Sequence, residues 1–231
     1  MYYWGIDITY IIFVLPAIIF TLIAQSRVQS TFKKYSQVRI MRGFTGAQIA
    51  QAMLKSNGLE NVRIEHCSGS LSDHYDPKAN VVRLSDSVYG SNSVAAAGVA
   101  AHECGHAIQH AVGYAPIKWR MAIIPISRFG SVLAMPLILL GFVFSFQALV
   151  TAGIVFFGAA VLFQLITLPV EFNASRRALA SLEMSGTLSD EELPSAKKVL
   201  SAAAMTYVAA LAVSLAQFLR LIILFGGRRR D

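Results

Sequence analysis

The chain has 231 residues, 55% of them hydrophobic and only 14% charged, with a formal net charge of +7. That charged share falls well below the globular norm of about 25%, and the mean hydropathy is +0.54. The balance excludes a disordered chain and a nucleic-acid-binding tail, argues against an ordinary soluble enzyme, and reads as a mainly α integral membrane protein with about four hydrophobic helices.

No charge interrupts the run from Asp7 to Arg27, and ITYIIFVLPAIIFTLIAQ is long enough, at about 1.5 Å per residue, to cross roughly 30 Å of hydrocarbon. The preceding MYYWGID has no Lys or Arg, and no small-x-small site follows. Residues 1–26 therefore read as an uncleaved transmembrane anchor rather than a signal peptide.

Residues 27–128 read as a small α+β insert. A helix is expected in FTGAQIAQAMLKSNG, with Thr45 as N-cap and Gly58 as its stop. Short strands follow in VRIEHC and, after a turn at Asp76, Pro77 and Lys78, at Val81 to Leu84. A second helix starts near Ser93 and runs to about Gly113. His74, Tyr75 and Asp76 form a polar cluster whose roles are capping a turn or stabilising an oxyanion.

The second helix contains HECGH. A spacing of four turns a helix by about 400°, so His102 and His106 project from one face and can share one tetrahedral Zn²⁺. Glu103 sits about 100° round from His102, where a carboxylate can take a proton from a zinc-bound water. Cys104 points about 200° away, toward the core. Two cysteines, Cys67 and Cys104, are too few for a disulfide framework and read as reduced thiols on the cytosolic side.

The charge-free run 129–170 suits two membrane helices with a turn near Gln147 to Gly153, the second ended by Pro169. The segment 171–200 begins with EFNASRRA. A catalytic zinc needs a third protein ligand and an open position, and Glu171 is the candidate, because a carboxylate so close to hydrocarbon is costly unless coordinated or paired. The hairpin returns Glu171 to the side of the membrane that holds His102 and His106. Pairing of Glu171 with Arg176 or Arg177, and His110 as a substitute ligand, are the alternatives. Further on, Ser189 reads as an N-cap with Glu191 and Glu192 in the first turn.

The last segment, 201–231, carries most of the apolar run Val199 to Phe225, broken by Arg220 alone, and a basic tail at Arg228, Arg229 and Arg230. It can span with Arg220 near an interface, lie in the interface, pack inside the bundle or re-enter. Basic residues follow the first span, precede the second and follow the third, while the N-terminus and the hairpin turn have none. The positive-inside rule then puts the N-terminus outside and the insert in the cytoplasm. A fourth span would export the basic tail, against the same rule.

HECGHAIQH followed, after a membrane hairpin, by EFNASRRA resembles the YugP-like family of bacterial membrane-bound neutral zinc metallopeptidases, and is more distantly similar to the HtpX and CaaX-prenyl-protease gluzincins. The resemblance covers most of the chain, including DHYDPKANVVRLS. It implies a zincin-like insert, one zinc ion per chain held by His102, His106 and Glu171, and Glu103 as catalytic base. Ser175 stands where the distant relatives have an Asp that orients a ligand histidine. Val81 to Leu84 matches the strand whose edge receives an extended peptide.

The expected protein is thus a zinc endopeptidase of the bacterial inner membrane, its site facing the cytoplasm. Its partners are a peptide or membrane-protein substrate and the bilayer, with no nucleic acid. The rivals are an intramembrane zinc protease and a non-enzymatic scaffold with a structural zinc.

Overall fold

The computed structural model describes residues 2–3 and 6–225. Helix makes up 72% of the chain, about twice the globular norm, because four of its helices are long enough and apolar enough to cross a membrane. They are α1 (Leu15–Tyr35, entered through a π-helical turn at Tyr10–Val14), α4 (Ala115–Val143), α5 (Gln147–Met184) and α6 (Leu193–Phe225). Between α1 and α4 lie α2 (Gly46–Ser56), β3 (Arg63–Cys67), β4 (His74–Asp76), β5 (Val81–Ser85) and α3 (Val94–Ala111). Two-residue strands β1 (Tyr2–Tyr3) and β2 (Ile6–Asp7) pair antiparallel ahead of α1.

The π turn has a cause in sequence. Pro16 has no N–H for the carbonyl of Ile12, and just before it the N–H of Leu15 reaches five residues back to Tyr10.

The chain divides into two compact units. The first comprises 1–25, 118–168 and 206–231. Its helices approach through glycine: a Cβ at Gly130 would lie 2.5 Å from the carbonyl oxygen of Phe156, and one at Gly153 would lie 2.7 Å from that of Ala134. Such small-residue contacts are how helices associate where lipid is as apolar as the side chains. Gln164 donates to Ser214 Oγ at 2.8 Å, and Arg220 donates to the carboxylate of Asp7, so the one charge in the last apolar run has a partner. That run lies within a single unbroken helix, Leu193–Phe225. The basic tail at Arg228, Arg229 and Arg230 lies outside the described residues.

The hairpin turn falls at Phe144 to Phe146, before the expected Gln147 to Gly153. Phe146 N–H bonds to the carbonyl of Gly141, and Ser145 takes φ 50°, so α4 closes as a Schellman turn with serine in the left-handed position usually held by glycine. α5 also does not stop at Pro169. It runs through that proline to Met184, which long membrane-type helices tolerate.

The second unit comprises 26–117 and 169–205. Thr45 caps α2 in a full capping box with Gln48, and Ser93 caps α3. α2 ends where Gly58 turns at φ 70°, and α3 where Gly113 turns at φ 64°. The sheet has the order β3-β5-β4, with β3 parallel and β4 antiparallel to β5. The Val81 to Leu84 segment is therefore the central strand, hydrogen-bonded on both sides, and offers no free edge to a peptide. α3 is buried nearly all round, from Val94 to Ile108, against a core containing Leu54, Leu84, Val88, Leu182 and Leu200. The small-residue run Ala95 to Ala101 makes that possible. With Ser189 as N-cap the helix would start at residue 190; it starts three residues later, at Leu193, with Glu192 accepting from the N–H groups of Ser189 and Met41, both at 2.8 Å.

Candidate metal centre

α3 presents His102 and His106 one turn apart, their rings 4.8 Å from centroid to centroid. α5 passes close by, because position 105 is glycine. A Cβ there would lie 2.6 Å from the carbonyl oxygen of Ala174, so the motif's second variable residue lets the two backbones touch. Glu171, 2% exposed, is thereby brought to both histidines. Its Oε2 lies 3.3 Å from His102 Nε2 and 3.6 Å from His106 Nε2.

Among the described residues these three form the one group of His, Cys, Asp or Glu side chains whose ligating atoms converge, all within 4.8 Å of one another. Two imidazoles and a carboxylate suit zinc. Zinc bonds of about 2.0–2.2 Å at tetrahedral angles set ligand atoms about 3.3–3.5 Å apart, which the two spacings to Glu171 approach. The residues present fit the ion.

The far nitrogens are also held. Gln109, fully buried, donates from Nε2 to the carbonyl of Val170 at 2.8 Å and to Asn173 Oδ1 at 2.9 Å. Arg177, a donor only, gives its Nε–H to the same Asn173 Oδ1 at 2.9 Å, which fixes that amide. Gln109 must then turn Oε1 toward His106 Nδ1, 3.0 Å away, so Nδ1 carries the proton and Nε2 keeps its lone pair. His102 Nδ1 lies 3.1 Å from Ser175 Oγ, a single hydroxyl able to accept in the corresponding way. Burial alone would lower the pKa of His106; the nearby carboxylates of Glu171 and Glu103 hold it above the ordinary value.

Glu103 stands outside the three-residue group. It is 9% exposed, and its Oε2 accepts the backbone N–H of Tyr75 on β4 at 3.0 Å. The polar cluster before the turn serves the hairpin: Tyr75 OH donates to Asn80 Oδ1 at 3.0 Å, His74 Nδ1 meets the carbonyl of Ser72 at 2.8 Å, and Asp76 Oδ1 accepts from Lys78 and Ala79. His110 packs its ring against Tyr75 and is not in the ligand group. Cys104 is buried with Sγ 3.7 Å from the carbonyl of Ala50, and burial raises its thiol pKa far above the ordinary value.

Sequence reasoning missed Gly105, Gln109 and Asn173. The available signal was spacing: Gln109 is three residues past His106, and Asn173 is four before Arg177.

No solved structure matches the chain. It is 48% identical over 202 residues to "Putative membrane protease YugP" of Bacillus subtilis (strain 168), an alignment covering 87% of this chain and 90% of that one. Residues 10–226 match the family described as "Putative neutral zinc metallopeptidase", and to that family the chain belongs.

Proposed function

We propose that the protein is a zinc-dependent endopeptidase of the bacterial inner membrane that hydrolyses peptide bonds in membrane or membrane-proximal proteins. The observation that carries this reading is the convergence of His102, His106 and Glu171, with a second, separately held carboxylate on the same helix, Glu103. His102 Nε2, His106 Nε2 and one oxygen of Glu171 would hold the ion. Bound there, zinc supplies a Lewis acid that polarises a scissile carbonyl and lowers the pKa of water toward about 7.

The chain's own groups do the rest. Glu103 takes the proton of the attacking water and returns it to the leaving nitrogen, and the Tyr75 N–H fixes one of its oxygens so that the other faces the reaction. Gln109 and Ser175 keep the imidazoles in the tautomer that binds metal. The sheet's open sides belong to β3 and β4. Of the two, β4 touches Glu103, so an extended substrate belongs along β4 rather than β5.

Residues 27–128 are proposed as a zincin-like insert on the cytoplasmic side, with residues 171–200 completing its site. That orientation follows from the basic residues after the first span, before the second and after the third.

Two variants of the detergent-purified full chain test this. Wild type should carry close to one zinc per chain by elemental analysis, with a marked loss in Glu171→Ala. Glu103→Gln should keep its zinc while hydrolysis of an unfolded protein substrate falls by at least about 10²-fold. Undiminished turnover in that variant rules out Glu103 as the base, and undiminished zinc in Glu171→Ala rules out the third ligand.

A further inference from the structure

Four cations converge at a place the zinc chemistry does not use. The charged end of α1 and the first turns of α6 line a cleft of about 660 Å³. Arg27, Thr31 and Lys34 recur at helical spacing on α1, and Lys197, Lys198 and Ser201 do the same on α6. No carboxylate lines this cleft. Among the described residues none of the four cations has an ion pair or a side-chain hydrogen bond, although Lys34 Nζ lies 5.4 Å from the centre of the Tyr35 ring. Cations gathered without a counter-charge repel one another until an anion joins them.

The place in each helix narrows the choice of anion. On α1 the charge-free run ends at Arg27, and Ile19, Leu22 and Ile23 just before it are exposed. On α6 the charge-free run begins directly after Lys198, and Ala202 and Met205 carry the cleft wall into it. Both helices therefore change from charged to apolar along the cleft, as a ligand with a negative head and an apolar tail requires.

We propose that this cleft binds the phosphate of an anionic phospholipid headgroup, with Arg27, Lys34, Lys197 and Lys198 supplying the charge, and Thr31 and Ser201 as hydroxyl donors to phosphate oxygens. The acyl chains leave past Met205. The inference rests on the membrane placement of the helices and is independent of the zinc site. An acidic peptide would satisfy the charges and not the apolar wall.

The test titrates the full chain in detergent with phosphatidylglycerol, phosphatidylcholine and inorganic phosphate, reading bound adducts by native mass spectrometry. Phosphatidylglycerol should bind in preference to phosphatidylcholine. The Lys197→Gln/Lys198→Gln double variant should weaken it by about 30-fold, from the worth of two cations near an anionic headgroup. A control of equal charge change away from the cleft, Lys55→Gln/Lys78→Gln, should move it by less than about twofold. All four lysines are exposed, and matching thermal unfolding of the two variants removes misfolding as a cause. Equal binding of phosphatidylcholine overturns the proposal, as does undiminished binding in the cleft variant. Displacement of the lipid by comparable concentrations of inorganic phosphate reassigns the cleft to a free anion, and displacement by lower concentrations of polyglutamate reassigns it to protein; either overturns it too.

Discussion

In the second unit Ala96, Ala97, Ala100 and Ala101 have no exposure, and neither do the larger apolar side chains of Val82, Leu84 and Val88 in the same core. In the first unit Phe129, Val132 and Leu139 face outward at 66%, 69% and 58% exposure. The second unit is held as water-soluble domains are, by removing apolar surface from water. The first cannot be, because its outward residues are as apolar as the lipid they meet, and its helices are joined by close backbone approach. Both units use glycine for a tight crossing. The difference is what each crossing positions, the candidate metal centre at Gly105 and only another helix at Gly153.

Substitution at these two glycines is the strongest way to break the comparison. Gly105→Ala forces α3 and α5 apart beside Ala174 and should cost about 1–3 kcal/mol of stability, together with most of the bound zinc and the hydrolysis, because Glu171 retreats with α5. Gly153→Ala meets the carbonyl of Ala134 and Ile138 Cγ1 just as closely, at 2.7 and 2.6 Å. It should lower thermal stability while zinc per folded chain stays at the wild-type level. Metal loss in both variants would erase the distinction between the units.

A finer contrast lies inside the site. Gln109→Leu removes the acceptor for His106 Nδ1 and leaves the Val170 carbonyl without this donor in a fully buried position. A loss of about 10–100-fold in zinc affinity is expected, measured by competition with a chelator. Ser175→Ala should lose less, because the His102 side chain is 15% exposed and water can replace the hydroxyl.

The smallest effect belongs to the hairpin. Asp76 is held below the usual carboxylate range, first by the Ala79 N–H and then by Arg83. A depressed folded pKa adds stability above the unfolded value and loses it as pH falls through the folded one. Asp76→Asn should therefore unfold slightly earlier than wild type at neutral pH, and the gap should close below about pH 4. Zinc content should not change.

How much of this was legible from residues alone depends on range. The caps at Thr45 and Ser93, the α3 helix and the single face of His102 and His106 follow from spacings within one helix. Glu171 could be singled out because a carboxylate beside hydrocarbon needs a partner. Strand order could not be read: β5 became central through its parallel pairing with β3, a contact between distant segments with no local signature. The hairpin turn was placed late because polar Gln147 drew the assignment, whereas the chain turns on Phe144, Ser145 and Phe146 through backbone hydrogen bonds. Pro169 looked like a stop because its missing N–H ends most helices in water; here α5 continues through it. Gln109 was invisible as a support because its role exists only once Val170 and Asn173 fix its amide.

The Asp7–Arg220 pair has a consequence for synthesis. Its partners are 213 residues apart, so the carboxylate leaves the ribosome long before its guanidinium is made. During that interval the entrance to the first apolar helix carries an uncompensated charge, and a nascent chain cut before residue 220 never acquires the partner. The pair acts as a late closure, tying the entrance of α1 to α6 only once residue 220 has been made.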